Sequence, residues 1–276
     1  MSSITCPICP HGCRLEEGRT GFCGARSNRG GEIRCLNYGQ ITSLSLDPIE
    51  KKPLRRFYPG SRILSAGSYG CNLRCPWCQN YEISSADSGR LRAVSLTPEE
   101  LVSRALSLRS QGNIGLAYTY NEPLIGYEFV RDCSLLIEKE GLKNVLVTNG
   151  YINEAPLREL LPHIHALNID LKSFSPAFYR RLRGNVETVK NSIAAASECS
   201  HVEVTLLVIP GENDSPEEMR SLSSWLASVD PRIPLHVTRF FPRYHMTDRP
   251  ATSVDTVYSL ARIAREKLEY VYEGNC

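Results

Sequence analysis

Arg62-Ile-Leu-Ser-Ala-Gly-Ser-Tyr-Gly-Cys71-Asn-Leu-Arg-Cys75-Pro-Trp-Cys78-Gln-Asn80 decides the fold of this chain. An apolar run opens the stretch, glycines break it, and three cysteines follow as Cys-x3-Cys-x2-Cys. Three anchors so close together force the loop to wrap around one object. Three thiolates hold three corners of a [4Fe-4S] cube and leave the fourth iron open to an exogenous ligand, whereas electron-transfer clusters normally use four cysteines. A zinc knuckle is the rival reading, but it normally wants four ligands. Scattered buried thiols are the plain alternative.

Outward from this loop, short apolar runs alternate with amphipathic helical patterns, the signature of βαβ units and a parallel sheet. Strands are expected at Arg62 to Ala66, Ile114 to Tyr120, Asn144 to Thr148, Ala166 to Leu171, Val202 to Ile209 and Leu235 to Phe240. Thr97-Pro-Glu-Glu and Ser215-Pro-Glu-Glu read as helix starts with proline in the first turn. Further helices fit Leu124 to Glu140, Glu154 to Leu161, Glu187 to Ala196 and Ser253 to Lys267. The expected fold class is α/β, a partial (β/α)6 TIM-like barrel over residues 61–276. Ligands in such folds sit at the carboxyl ends of the strands, where the cysteine loop falls.

Residues 1–60 differ, with glycine-rich turns and short β-like pieces such as Glu32 to Tyr38 and Ile41 to Leu46. Cys6, Cys9, Cys13 and Cys23 offer four thiolates, enough for a closed zinc site or a second iron-sulfur cluster, with Cys35 as a substitute ligand. So small a segment could hardly bury a core unaided, so it reads as a cysteine-rich metal-binding module. Cys133 and Cys199 fall in or beside helical patterns and read as buried thiols; Cys276 has no reading.

Length, 42% hydrophobic and 22% charged residues suit one large soluble α/β domain with an appendage. A net charge of +2 gives no sign of a nucleic-acid or membrane surface. No apolar run approaches membrane-spanning length and the start lacks a secretory signal, so a cytoplasmic location is expected. Eleven cysteines, mostly in two tight groups rather than at the wide spacings of a disulfide framework, mean metal in a reducing compartment.

The Cys71 loop, the amino-terminal Cys-Pro-x-Cys-Pro-His-Gly-Cys, Asp47-Pro-Ile-Glu-Lys-Lys-Pro53, Tyr118-Thr-Tyr-Asn-Glu-Pro123, Thr148-Asn-Gly-Tyr151, Asp170-Leu-Lys172, Ile209-Pro-Gly-Glu-Asn-Asp-Ser215 and Tyr270-Val-Tyr-Glu-Gly-Asn275 span almost the whole chain. In this order they resemble the radical S-adenosylmethionine (radical SAM) superfamily, within it the glycyl-radical activating enzymes such as that of pyruvate formate-lyase, and more closely the AmmeMemoRadiSam system radical SAM protein. The resemblance implies that Cys71, Cys75 and Cys78 hold a [4Fe-4S] cluster whose open iron is chelated by S-adenosylmethionine. The superfamily commonly has Gly-Gly-Glu-Pro at the second strand end; here Tyr120-Asn121 replaces the glycines, and a carbonyl with the Glu122 carboxylate can still receive the ammonium. Asn121, Glu122, Thr148, Asn149, Asp170 and Lys172 are the implied cofactor grips, with Asp170 and Lys172 equally readable as an ion pair. The apolar Leu207 to Ile209 end suits an adenine ring, and Arg239 and His245 gather near the same rim.

The implied activity is reductive cleavage of S-adenosylmethionine to a 5′-deoxyadenosyl radical that abstracts hydrogen from a substrate, with a glycine of a protein partner favoured. A flavodoxin or ferredoxin is the implied electron donor. The alternatives are radical modification of a small molecule, RNA or another protein side chain, and, outside catalysis, an electron carrier or interaction module with two metal sites.

Overall fold

The computed structural model describes residues 3–85 and 91–276. Its centre is an eight-stranded sheet: β1 (Ser43–Pro48), β2 (Arg62–Gly67), β3 (Asn113–Tyr118), β4 (Lys143–Thr148), β5 (Ala166–Asp170), β6 (His201–Val208), β7 (Leu235–Arg239) and β8 (Val271–Gly274). The spatial order is sequential, β8 to β1. Strands β2 to β8 are parallel, and β1 caps the edge antiparallel to β2. Helices α1 (Pro98–Ser107), α2 (Tyr127–Lys139), α3 (Glu154–Leu160), α4 (Val186–Ser197), α5 (Pro216–Val229) and α6 (Val254–Ala264) supply the crossovers. This is the partial barrel expected, extended by one strand at each side.

The strands form where apolar runs are buried on both faces, as parallel strands under helices require. Leu116, Ala117, Val145, Leu146, Ala166 and Leu167 are completely or almost completely buried. The helices start where their caps dictate. Thr97 and Glu100 close a capping box over Pro98, and the Ser215 and Ser253 side chains accept from Glu218 N and Thr256 N.

Three sequence expectations shift. Ser43–Pro48 lies before residue 60 yet belongs to the large sheet, so the small unit proper ends before it. The Tyr270 to Asn275 segment supplies a seventh parallel strand, with Val271 opposite Leu235. Strand β3 stops at Tyr118 because Tyr120 takes φ +74°, which no strand continues.

The small amino-terminal unit is two hairpins, Ile4–Thr5 with Arg14–Leu15 and Arg26–Arg29 with Glu32–Cys35. It is stapled to the barrel by polar contacts. Buried Arg26 donates to both carboxylate oxygens of Glu128 at 2.8 and 2.5 Å and to Ile125 O at 3.0 Å. Asn153 donates to Ile8 O and Pro7 O, and Asn37 to Tyr69 O.

Candidate active site

The cysteine turn leaves β2 through Gly67 and Gly70, and both glycines are required. A Cβ on Gly67 would lie 2.7 Å from the Tyr120 ring, and one on Gly70, at φ +87°, would lie 2.6 Å from Cys23 O. Cys71, Cys75 and Cys78 follow as half-buried free thiols, with Cys78 N donating to Cys75 O. Cys71 Sγ accepts from Leu73 N at 3.4 Å and from Asn149 Nδ2 at 3.7 Å. Burial pushes the Cys75 thiol up to about 11, and the charge of Lys172 pulls it back toward the thiolate. Trp77 is buried with Phe178, Leu182, Ile209, Phe240 and Met246, so the apolar end of β6 and the turn share one wall.

The strand-end residues converge on this turn. Asn121 is fully engaged: its Oδ1 accepts from Ser68 N and its Nδ2 donates to Tyr69 O and Gly70 O, clamping the start of the cysteine loop. Glu122 is 3% exposed and braces two strand ends. Its Oε1 accepts from Leu124 N at 3.0 Å and Thr148 Oγ1 at 2.7 Å, and its Oε2 accepts from Asn149 N at 2.8 Å. Burial pushes its carboxyl up to about 7 against the pull of those three donors. Asn149 then reaches Cys71 Sγ and Asn72 Oδ1, so a chain of contacts runs from Glu122 to the first cysteine. Asp170 and Lys172 form an ion pair at 2.7 Å. Burial works against the Lys172 charge, but Asp170 and Cys75 outweigh it and the ammonium is held.

Arg239 is spent locally, donating to Thr252 O at 2.6 Å with its guanidinium over the Phe241 ring. His245 is exposed, yet its N–H donates to Pro76 O at 2.8 Å, docking the segment after β7 on the cysteine turn. Tyr244 there stacks on Tyr81 at 4.4 Å between ring centroids. In the small unit, Cys6, Cys9 and Cys23 are buried and Cys13 half-buried. Cys35 donates to Asn37 Oδ1 at 3.0 Å, beside Glu128. Cys133 is buried as expected, but Cys199, just beyond the end of α4, is exposed.

Sequence reading missed three supports. Asn72, 1% exposed, donates to Tyr151 O and links Cys71's loop to Asn149. Asn80 donates to Tyr120 O at 2.6 Å. Asp47 accepts from Lys52 Nζ at 2.9 Å and Tyr120 Oη at 2.7 Å, so the Asp47-Pro-Ile-Glu-Lys-Lys-Pro53 segment holds Tyr120 in its positive-φ turn. Asn121 N donates to Thr119 O across Tyr120, an i to i+2 turn of the strained kind that needs such support. Lys52 is a near neighbour of Asp47, but Tyr120 and the Tyr151 partner of Asn72 lie too far along the chain for any local pattern to reveal them.

The donor chemistry fits an iron-sulfur cube held by three cysteines. The thiols are free and share one turn, with Leu73 N and Asn149 Nδ2 donating to the Cys71 sulfur. Among the described residues no three His, Cys, Asp or Glu side chains are drawn around one ion-sized point. Thiolates on a cube sit on different irons and so stand farther apart than ligands of one ion. Two hollows of about 610 and 320 Å³ lie elsewhere and neither is lined by a cysteine, so chemistry rather than hollow size locates this site.

Residues 66–222 match the family model of the Radical SAM superfamily. An uncharacterized protein of Methanocaldococcus jannaschii is 37% identical over 99% of this chain and 82% of its own length. Pyruvate formate-lyase 1-activating enzyme of Escherichia coli K12 is 26% identical over 60% of this chain and 69% of its own. Among solved structures, a radical SAM methyltransferase from Sphaerobacter thermophilus shares the fold with TM-score 0.59 at 17% identity, covering 79% of this chain and 67% of that one. No helix among the described residues is long and apolar enough to cross a membrane. The chain belongs to the radical SAM superfamily and is a radical SAM enzyme, with a [4Fe-4S] cluster and S-adenosylmethionine as its cofactors.

Proposed function

We propose that this enzyme abstracts hydrogen from a glycine of a protein partner. When bound at Cys71, Cys75 and Cys78, the cluster supplies the electron that cleaves S-adenosylmethionine to the 5′-deoxyadenosyl radical. The chain's own residues do the positioning. Glu122 fixes Thr148 and Asn149, Asn149 sets the Cys71 sulfur, and Asn121 holds the loop's entry. Glu122 keeps an acceptor site on Oε2 for the ammonium, while Asp170 and Lys172 offer both charges for the amino acid end and ribose. Trp77 and Ile209 wall the turn with apolar surface and exclude water.

The observation that carries the reading is the Glu122 to Asn149 to Cys71 chain of contacts, which ties the β3 and β4 ends to the turn. The choice of a protein glycine rests on the activating enzyme among the relatives, and a one-electron protein donor of the ferredoxin or flavodoxin class goes with it. Anaerobic turnover with a partner protein deuterated at glycine tests it. Deuterium in 5′-deoxyadenosine and a glycyl-type radical on the partner are expected; 5′-deoxyadenosine carrying no label from any glycine-deuterated candidate would sink the glycine assignment.

A further inference from the structure

Three consecutive carbonyls of the cysteine turn, those of Cys71, Asn72 and Leu73, are gripped by two side chains that one aromatic ring joins. Arg74 Nη1 donates to Cys71 O at 2.7 Å and to Leu73 O at 3.0 Å. His11 Nε2 donates to Asn72 O at 2.8 Å. The other arm of the Arg74 guanidinium donates to Phe22 O, and the guanidinium carbon lies 4.0 Å from the centroid of the Phe22 ring. That ring meets His11 at 4.4 Å, and His11 stands edge-on to Tyr151 at 5.5 Å.

Arg74 is half-buried and precedes Cys75 directly. Its backbone N–H donates to Leu182 O at 3.0 Å, so main chain and side chain are both fixed. The acceptors around the guanidinium are neutral carbonyls, which orient it and leave its charge uncancelled. The face of the Phe22 ring adds attraction for that charge. An arginine does not lose its proton in a protein, so the charge is permanent. The clamped turn also aims Leu73 N at Cys71 Sγ, 3.4 Å away.

The potential of an iron-sulfur cluster follows the charge around it, the hydrogen bonds to its sulfurs and its exposure to solvent. Reduction adds one negative charge, and a fixed cation nearby stabilises the reduced state. We propose that Arg74 is a positioning residue that raises the reduction potential of the cluster at Cys71, Cys75 and Cys78, with Phe22 and the turn's carbonyls holding its charge in place. The electron comes from the donor protein. Arg74 keeps its proton and its bonds throughout and acts by its field. This role rests on the turn holding its cluster and is independent of which hydrogen the enzyme abstracts.

A redox titration of the anaerobically reconstituted protein tests it, followed through the paramagnetic resonance signal that responds to S-adenosylmethionine. Arg74→Gln removes the charge and keeps a donor for the turn, so its midpoint should fall by at least about 59 mV, tenfold for one electron. Arg74→Lys keeps the charge without the planar fork and should recover at least half of that fall. A smaller fall in Arg74→Gln, or a smaller recovery in Arg74→Lys, overturns the proposal. If Arg74→Gln fails to hold iron, Phe22→Leu is read in its place, because it frees the guanidinium and leaves the turn intact. Its midpoint should also fall, and an unchanged value overturns the proposal. A wild type without the responsive signal refutes the cluster site and this role together. A wild type that shows the signal, yet takes no label from glycine into 5′-deoxyadenosine, refutes the glycine assignment alone.

Discussion

Glu122 shows how one buried carboxylate can brace two strand ends at a site. It satisfies Leu124 N, Thr148 Oγ1 and Asn149 N together. A Glu122→Gln variant must turn an NH2 group toward one of those donors, leaving a buried N–H unmatched at about 1–3 kcal/mol. Urea melts of the apo-protein should show that loss, and an unchanged midpoint would refute the brace. The buried pair of Asp47 and Lys52 supports Tyr120 from below. Asp47→Ala strands the Lys52 charge and should cost about 3–5 kcal/mol. Tyr120→Phe removes only one bond to that carboxylate and should cost about 1.5–3 kcal/mol. If the two variants melt together, the ordering is wrong. The cysteines, Glu122 and Asn149 were legible from sequence because their chemistry is local to strand ends. The Asp47 bond to Tyr120 and the Asn72 bond to Tyr151 were not, because each spans more than seventy positions.

At the scale of elements, β6 carries a second buried carboxylate that belongs to the architecture. Glu203 accepts from Arg55 N and Arg56 N at 3.0 and 2.8 Å and from His201 and His236, pinning the segment between β1 and β2 under the barrel. Burial works against its charge, but those donors hold its carboxyl down to about 2. A depressed acid adds stability above its ordinary pKa near 4.5, and that stability disappears as pH falls from there toward 2. Wild type should therefore lose stability across that window more steeply than Glu203→Gln, in denaturant melts at a series of pH values. Parallel profiles would contradict it. Gly70→Ala should cost about 1–3 kcal/mol, since its Cβ meets Cys23 O and its φ is positive. Hydrogen exchange at the Cys71 amide should rise with it; unchanged protection would mean that the small unit is not seated there. Six strands and most helices were readable from periodicity and caps. Strand β8 escaped because four residues with polar neighbours carry little pattern, and β1 because its partner, not its sequence, assigns it to the large sheet.

Over the whole molecule, a parallel sheet brings one strand end after another to a single cysteine turn, and a small cysteine-rich unit closes against that turn from the other side. The family and cofactors were legible through the resemblance that the Cys71 loop and the strand-end motifs carry. The meeting of the two cysteine groups was not, since only the folded chain puts Cys23 against Cys71. The most direct measurement of the account is 5′-deoxyadenosine formed by the anaerobically reconstituted, reduced protein given S-adenosylmethionine. The wild type should form it, Cys71→Ala, Cys75→Ala and Cys78→Ala should each abolish it, and Asn149→Ala should slow it about tenfold or more. No product from the reconstituted wild type, or undiminished product from any cysteine variant, would contradict the assignment of this turn as the catalytic centre.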